Sequence, residues 1–278
     1  MNLFSSKLRK VVVQSLQIHA TQACNFSCDG CTSFSQFKLK GMLSVEEAKE
    51  SLDVWKKKIH PKKVCLLGGE PTLNPNLCEL LILISNAFPA KTTNRILTTN
   101  ASFIDRHPKL EETLRKFDIE LRISLHSDDA EYLKKMGNVI KQIERWRGVR
   151  KLFTNNSGKP IPGFKFNDEK WTQRYRVDGK NIFPFDHGNP RKSWEVCPAR
   201  VNIQLYDGKL WKCPIITYFR LVPKENRADE AWEKYLNYEP LLPTCSHEEL
   251  KNFISREEEE ICGMCPSETL PFRKTKPF

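Results

Sequence analysis

Three cysteines near the amino end constrain this chain more than any other feature. Cys24, Cys28 and Cys31 have the spacing Cys-x3-Cys-x2-Cys. A structural zinc site uses four ligands, whereas this motif supplies three thiolates. On a cubic 4Fe–4S cluster, three thiolates leave one iron without a protein ligand. Because an open iron can bind a small molecule and reduce it, the triplet indicates a reactive centre and not only a structural one.

Composition narrows the class of protein. The chain has 278 residues, which suffice for one large domain or for a medium and a small one. Its hydrophobic content is 39%, and no apolar run has the length of a membrane span, so we expect a soluble protein. The amino end lacks a secretory signal, and there are ten cysteines. We therefore expect a cytoplasmic protein whose clustered cysteines form metal or redox sites.

The formal net charge of +11 has two interpretations. One is a solvated basic surface with a lysine-rich tail, and the other is an anionic partner such as a phosphorylated or nucleotide-linked sugar. The basic residues are dispersed and form no nucleic-acid-binding motif, so we do not expect nucleic acid as the partner.

Strands and helices alternate up to about residue 155. A strand over 11–20 leads to the cysteine loop, and Ser44 to Glu47 forms a capping box. This alternation predicts βαβ units and a parallel sheet. The predicted helices are 45–58, 76–88, 109–116 and 128–146, and the later strands are 64–67, 95–98, 120–125 and 149–154.

All the notable motifs follow predicted strands. They are Cys24–Cys31, Gly68–Glu70, Thr99–Asn100 and Ser124–His126. Because ligands of parallel sheets lie at the carboxyl ends of the strands, we expect these motifs to meet there.

The pattern changes after residue 155. Residues 156–194 are rich in Gly, Pro, Asn and aromatic residues, and we interpret them as an irregular linker or the end of the core. Asp207-Gly208 lies inside a β-hairpin that ends at Cys213. We therefore divide the chain into a core (1–155), the linker (156–194) and a carboxyl-terminal domain (195–278).

The combination of motifs resembles the radical S-adenosylmethionine (radical SAM) enzymes over roughly residues 11–155. Cys24, Cys28 and Cys31 match the cluster triad of that family, and Gly68-Gly69-Glu70-Pro71 matches its glycine-glycine-glutamate-proline segment. The resemblance implies a partial (β/α)6-type radical SAM barrel. It also implies a 4Fe–4S cluster, SAM as cofactor, and a flavodoxin- or ferredoxin-like reductant.

The resemblance also assigns residues. Gly68, Gly69, Glu70, Asn100 and Ser124 are expected to contact SAM, with the glycines allowing a close approach of the backbone. In the family, the reduced cluster cleaves SAM to a 5′-deoxyadenosyl radical, which abstracts a hydrogen atom from a substrate carbon.

One position departs from the family. Many members have an aromatic residue just before the third cysteine, near the adenine, whereas this chain has Gly30. Either Phe26 or Phe34 substitutes for it, or the adenine packs differently.

A second set of four cysteines lies in the carboxyl-terminal part: Cys197, Cys213, Cys262 and Cys265. Four thiolates with a Cys-x2-Cys pair suit structural zinc, and they equally suit a fully ligated auxiliary 4Fe–4S cluster. Residues 195–270 resemble the short auxiliary-cluster domain called twitch and lack the further cysteines of the longer SPASM domain. We favour the second cluster because a radical SAM core precedes it. The expected fold is thus an α/β barrel with a small α+β auxiliary-cluster domain.

An auxiliary cluster can take an electron from a substrate radical. The expected reaction is therefore oxidation of an alcohol to a ketone on a carbohydrate-like or polyol substrate, as in the twitch-containing dehydrogenases that the chain resembles. A likeness to radical SAM proteins of surface-polysaccharide biosynthesis also favours a sugar. A proton acceptor is then needed, and the candidates in the linker are Arg174, Arg176, Asp186 and His187.

Two alternatives remain open. In the first, a radical SAM epimerase or peptide maturase uses Cys245, in polar surroundings, as the hydrogen donor. No leader-peptide-binding domain precedes residue 11, which counts against the peptide substrate. In the second, the chain is a non-enzymatic zinc or iron–sulfur module, which leaves the Gly-Gly-Glu-Pro segment unexplained.

Overall fold

The computed structural model describes residues 9–28, 30–126, 129–155, 167–168, 172–227 and 230–270. Among these residues, no helix has both the length and the apolar character needed to cross a membrane.

Strands and helices alternate through the first half of the chain. The strands are β1 (Val11–Val13), β2 (Ser15–Thr21), β3 (Ile59–Pro61), β4 (Lys63–Gly68), β5 (Asn94–Thr99), β6 (Ile119–Leu125) and β7 (Lys151–Asn155). The helices between them are α1 (Val45–Lys58), α2 (Leu77–Ala87), α3 (Leu110–Lys116) and α4 (Ala130–Glu144). The predicted βαβ alternation is therefore confirmed.

Shorter elements make up the second half. The strands are β8 (Asn167–Asp168), β9 (Arg176–Asp178), β10 (Asn181–Phe183), β11 (Asn202–Tyr206) and β12 (Lys209–Trp211). The helices are α5 (Pro190–Glu195), α6 (Pro214–Tyr218), α7 (Glu233–Leu236) and α8 (His247–Ser255).

The main sheet has eight strands in the described part of the chain, in the order β12-β11-β2-β4-β5-β6-β7-β8. All neighbours are parallel except β11 and β12, which are antiparallel. The result is a mixed α/β fold with a mainly parallel sheet, as expected for a partial radical SAM barrel.

Local signals placed several elements correctly. Ser44 caps α1 by accepting a hydrogen bond from the Glu47 amide, and the Glu47 carboxylate accepts one from the Ser44 amide. Asp207 and Gly208 have φ angles of 52° and 68°, as a type I′ turn between β11 and β12 requires.

The hairpin is continuous with the main sheet, because β11 lies parallel to β2. The proposed division into residues 1–155, 156–194 and 195–278 stays a prediction. Most of 156–171 lies outside the described residues.

Two hydrophobic clusters flank the sheet. The first contains Leu16 and Ile18 of β2 together with Leu52 and Trp55 of α1. In the second, the cysteine loop meets the linker and the carboxyl-terminal part of the chain. Its buried residues include Phe34, Tyr175, Trp211, Tyr218, Phe219, Trp232, Tyr235, Ile261 and Met264.

Candidate active site

The cysteine triplet lies at the carboxyl edge of the sheet. Cys24, Cys28 and Cys31 are in the loop that follows β2, which ends at Thr21. Burial raises the pKa of the Cys24 thiol to about 12, and the nearby charges of Glu70 and Cys31 also raise it. Ionisation of the Cys24 thiol therefore needs a compensating positive charge, which iron would supply. Together the three cysteines of the loop provide the donor set expected for a cluster with one open position.

The glycine pair at the end of β4 packs directly on this loop. A Cβ at Gly69 would lie 2.0 Å from the Ala23 carbonyl oxygen, and one at Gly68 would lie 2.4 Å from the Thr21 oxygen. The Gly69 amide donates to Thr21 O, and the Glu70 amide donates to Ala23 O, each at 2.8 Å. The glycines are therefore required by contact with the backbone that leads into Cys24, whatever SAM also requires.

Glu70 is held by protein donors from two strand ends. Its carboxylate is almost fully buried. Oε1 accepts hydrogen bonds from the Thr72 amide at 2.9 Å, the Thr72 hydroxyl at 2.5 Å and the Thr99 hydroxyl. Oε2 accepts from the Asn100 amide at 2.7 Å. The carboxylate thus joins the ends of β4 and β5 and contributes negative charge beside Cys24.

Asn100 connects the same region to the cysteine loop. Its Nδ2 donates to Asn25 Oδ1 at 3.0 Å, and its Oδ1 accepts from the Ser102 amide at 2.9 Å. Asn25 Nδ2 in turn lies 3.1 Å from the Ser102 hydroxyl. The sequence analysis missed Asn25, although its position directly after Cys24 was a usable signal.

Ser124 and the two candidate phenylalanines are engaged with the protein. Ser124 lies near the end of β6, and its Oγ is 3.0 Å from Oγ1 of Thr154 in β7. Phe26 packs edge-on against His126, and Phe34 stacks on Tyr175 with ring centroids 5.1 Å apart. Both phenylalanines are buried in protein cores, so neither presents an open ring face for an adenine.

His19 is a further buried group that the sequence analysis missed. It stacks on Tyr218 with ring centroids 3.9 Å apart, and its Nδ1 lies 3.3 Å from Gln22 Oε1. Burial lowers its pKa to about 3, although the hydrogen bond with Gln22 opposes this, so the ring is neutral at pH 7. The available signal was alternation along β2, because Gln17 and His19 occupy positions opposite in phase to Leu16 and Ile18.

The second cysteine set also converges. Burial raises the pKa of Cys262 to about 11 and of Cys265 to about 12, and it raises that of Cys213 well above its usual value. Charge on Cys197 adds to all three shifts, so the four thiols lie within electrostatic reach of one another. Four neighbouring thiols form a donor set that suits a metal centre.

Linker residues hold the Cys262–Cys265 pair in place. The Met264 carbonyl accepts hydrogen bonds from the Phe185 and Asp186 amides, and the Ser193 hydroxyl donates to the Cys265 carbonyl at 3.0 Å. Helix α5 ends at Glu195, two residues before Cys197, so the same segment delivers a further cysteine of this set.

The two cysteine sets are linked through adjacent linker residues. The Tyr175 hydroxyl donates to the Cys31 carbonyl at 2.8 Å and accepts from Gln36 Nε2 at 2.6 Å. Its neighbour Arg174 acts electrostatically on Cys265.

The candidate catalytic residues do not gather at the first cysteine set. Arg174 is buried beside the second set, and its Nη2 donates to Thr172 Oγ1 and Val196 O. His187 is exposed, with Nδ1 accepting from the Ser267 amide at 3.1 Å. Arg176 and Asp186 are also exposed.

Cys245 lies at the opposite edge of the sheet. Lys58, the last residue of α1, donates to the Cys245 carbonyl at 2.7 Å, and its Nζ is 4.0 Å from Sγ. Lys58 precedes β3 and the amino end of β4. Strand β4 has six residues, so Cys245 is separated from the cysteine loop by roughly 20 Å.

Comparisons with known proteins agree with this architecture. Residues 18–173 match the model of the Radical SAM superfamily. The GTP 3′,8-cyclase of Campylobacter lari is 28% identical over 139 residues, which cover 48% of this chain and 41% of that protein. The probable GTP 3′,8-cyclase of Thermococcus kodakarensis is 31% identical over 129 residues, covering 46% and 39%. The chain thus matches less than half the length of these relatives.

A solved structure extends the likeness to the whole chain. BtrN in complex with AdoMet and 2-DOIA superimposes with a TM-score of 0.52 at 12% identity, covering 97% of this chain and 99% of that one. At this identity the likeness concerns the fold alone.

The contact between Gly69 and Ala23 yields a first prediction. Gly69→Ala should lower the free energy of unfolding by about 2 kcal/mol or more, because the new Cβ overlaps the Ala23 carbonyl. It should also reduce iron binding by the first cysteine set. Urea denaturation and iron analysis after anaerobic reconstitution measure both effects.

The control is Gly137→Ala in α4, where a Cβ meets no atom within 4 Å and stability should rise by up to about 1 kcal/mol. Wild-type stability and iron content in Gly69→Ala would contradict the analysis.

The Glu70 carboxylate gives a second prediction. Glu70→Gln removes one acceptor oxygen and places an NH2 group among donors, so the free energy of unfolding should fall by about 1–3 kcal/mol. The matched change at the exposed Glu50 should remain within about 0.5 kcal/mol of wild type. Equal effects of the two substitutions in urea denaturation would show that the buried network contributes nothing.

His19 gives a pH prediction. Its folded pKa lies near 3, below the ordinary 6.5, so below about pH 6.5 the unfolded chain binds a proton that the folded chain excludes. Stability should therefore fall as the pH drops from 6.5 towards 3, by up to about 1.4 kcal/mol per unit from this group. His19→Gln should remove that part of the slope in urea melts between pH 7 and pH 5. A slope in His19→Gln equal to that of the wild type would contradict this prediction.

Proposed function

Because the chain belongs to the radical SAM superfamily, whose model matches residues 18–173 of 278, we propose that it is a radical SAM oxidoreductase. Its substrate is a small carbohydrate-like molecule or polyol, and the reaction oxidises an alcohol carbon to a ketone. The observation that carries this proposal is the convergence of four cysteines at a second site, because such a site can supply an electron acceptor.

The first cysteine set would hold the cluster that works with SAM. When bound, these cofactors supply a 5′-deoxyadenosyl radical that takes a hydrogen atom from a substrate carbon. The chain itself would provide three thiolates, from Cys24, Cys28 and Cys31, and would leave one coordination position of the cluster open. Gly69 and Glu70 fix the loop that carries them, through the Ala23 and Thr21 carbonyls. Gly68, Asn100 and Ser124 lie at the same edge of the sheet. We propose that these three residues bind SAM.

The second set would hold an auxiliary 4Fe–4S cluster. Cys197, Cys213, Cys262 and Cys265 supply one thiolate for each iron, so no position is left for substrate and the site is suited to electron exchange. The radical SAM core in the same chain favours an iron–sulfur cluster over zinc at this second set.

Oxidation is favoured over epimerisation by the position of Cys245. A hydrogen donor must reach the substrate radical at the carboxyl edge, but contact with Lys58 keeps this thiol at the amino ends of the strands. The epimerase or peptide-maturase alternative therefore has no donor at Cys245.

Charge and cysteine chemistry guide the choice of partners. The net charge of +11 supports a substrate with an anionic group, such as a phosphate or a nucleotide. All ten cysteines are free thiols, which supports a reducing cytoplasmic setting with a flavodoxin- or ferredoxin-like reductant. The GTP 3′,8-cyclases match less than half of this chain, so they support shared SAM chemistry and not a shared substrate.

The proposal predicts that the two cysteine sets separate SAM cleavage from oxidation. The reconstituted chain should contain about eight irons, and it should convert a sugar or polyol from a screened panel to a carbonyl product while forming 5′-deoxyadenosine. Cys213→Ala should retain SAM cleavage, lose about four irons and lose the carbonyl product, because the electron acceptor is gone. Chromatography of 5′-deoxyadenosine and hydrazine trapping of the carbonyl measure the two steps.

The control is Cys245→Ala, which should keep both activities. Stoichiometric zinc in the second set would exclude the electron acceptor. Deuterium at a retained stereocentre after reaction in deuterated water, lost in Cys245→Ala, would establish epimerisation instead.

A further inference from the structure

Arg174 is a buried cation that has no carboxylate partner among the residues that the structure describes. Its side chain is 4% exposed, and its Nη2 donates only to neutral oxygens, at 3.0 Å to Thr172 Oγ1 and at 3.2 Å to Val196 O. Its Nε is fully buried and makes no hydrogen bond within the described ranges. A guanidinium in this position costs several kcal/mol unless a nearby negative charge offsets the loss of water.

The second cysteine set is where such a charge would lie. Arg174 acts electrostatically on Cys265, and its acceptor Val196 directly precedes Cys197. Lys212, a further buried cation near this set, already has Glu259 at 3.8 Å and donates to Arg256 O at 2.5 Å. Within the described ranges, Arg174 differs because it lies near the cysteines and has no carboxylate of its own.

A second group points at the same sulfur atom. The Tyr235 hydroxyl lies 3.3 Å from Cys265 Sγ, and the tyrosine is buried in the second hydrophobic cluster. Hydrogen bonds to a ligating sulfur and buried positive charge both stabilise the more negative, reduced form of an iron–sulfur cluster. The two effects therefore act in the same direction on the reduction potential.

We propose that Arg174 and Tyr235 raise the reduction potential of a cluster held by Cys197, Cys213, Cys262 and Cys265, so that it accepts an electron from the substrate radical. The inference rests on the proposed function, and it makes Arg174 a positioning and tuning residue in place of a proton acceptor. A guanidinium stays protonated and is a poor base.

The electron balance is simple. The substrate carbon radical loses one electron to the cluster, its hydroxyl loses one proton to solvent or a base, and the carbon–oxygen bond becomes a carbonyl. The cluster is reduced by one electron, and it returns that electron to a flavodoxin- or ferredoxin-like protein.

Redox titration of the whole chain, loaded with both clusters and followed by electron paramagnetic resonance, tests the inference. SAM perturbs the signal of the open cluster, so the signal that SAM leaves unchanged reports the second one. In Arg174→Gln, the equilibrium between the reduced and the oxidised second cluster should shift towards the oxidised form at least tenfold. This corresponds to a midpoint potential lower by about 59 mV for one electron. Tyr235→Phe should shift it in the same direction.

Controls separate the possible failures. Arg176→Gln removes an exposed arginine and should leave the midpoint unchanged. Arg174→Lys keeps the charge and should have a midpoint closer to wild type than Arg174→Gln.

Wild-type protein with zinc or no iron in the second set would defeat the proposed function itself. A bound cluster with an unshifted midpoint in Arg174→Gln would overturn only this inference. Should the glutamine variant lose the cluster, an unshifted midpoint in both Arg174→Lys and Tyr235→Phe would overturn it equally.

Discussion

A single buried carboxylate organises the carboxyl edge of the sheet. Glu70 is almost without contact to water, so its charge is stabilised only by donors from the protein. Those donors come from the segment after β4 and from the end of β5, and they hold the two strand ends together. Gly69, one residue earlier, rests on the backbone that enters the cysteine loop. The position of the three thiols therefore depends on a network that contains no cysteine, which explains why a Gly-Gly-Glu segment accompanies the triplet.

The second hydrophobic cluster joins the cysteine loop to the linker and to the carboxyl-terminal part of the chain. Phe34 enters it from the cysteine loop, Tyr175 from the linker, and Ile261 and Met264 from either side of Cys262. Because these aromatic and aliphatic side chains pack into one body, the two cysteine sets are held by a shared core and not by separate modules. The parallel pairing of β11 with β2 extends the same connection through the backbone. A rigid link of this kind suits two centres that act on one substrate in turn.

Local signals predicted most elements of the first half of the chain, but they missed β3 and the elements β9, β10 and α5 of the segment interpreted as irregular. Tertiary contacts decided the site. The capping box at Ser44 and the Asp207-Gly208 turn are short-range patterns, so the sequence alone predicted them correctly. The shared edge of the motifs followed from parallel topology. By contrast, Tyr175 reaches a carbonyl 144 positions away, and no local pattern encodes that contact. The same limit applies to Arg174. The sequence suggested it as a candidate proton acceptor, but its surroundings follow from tertiary contacts that no local pattern encodes.

The contrast between three thiols and four gives the molecule its asymmetry. The first set lies beside the Glu70 carboxyl group, whose pKa is raised by burial, and negative charge on that group opposes the gain of an electron. The second set lies beside a guanidinium and a tyrosine hydroxyl, which favour that gain. Under the proposed function, these surroundings make the second set the better electron acceptor, because they stabilise its more negative, reduced form.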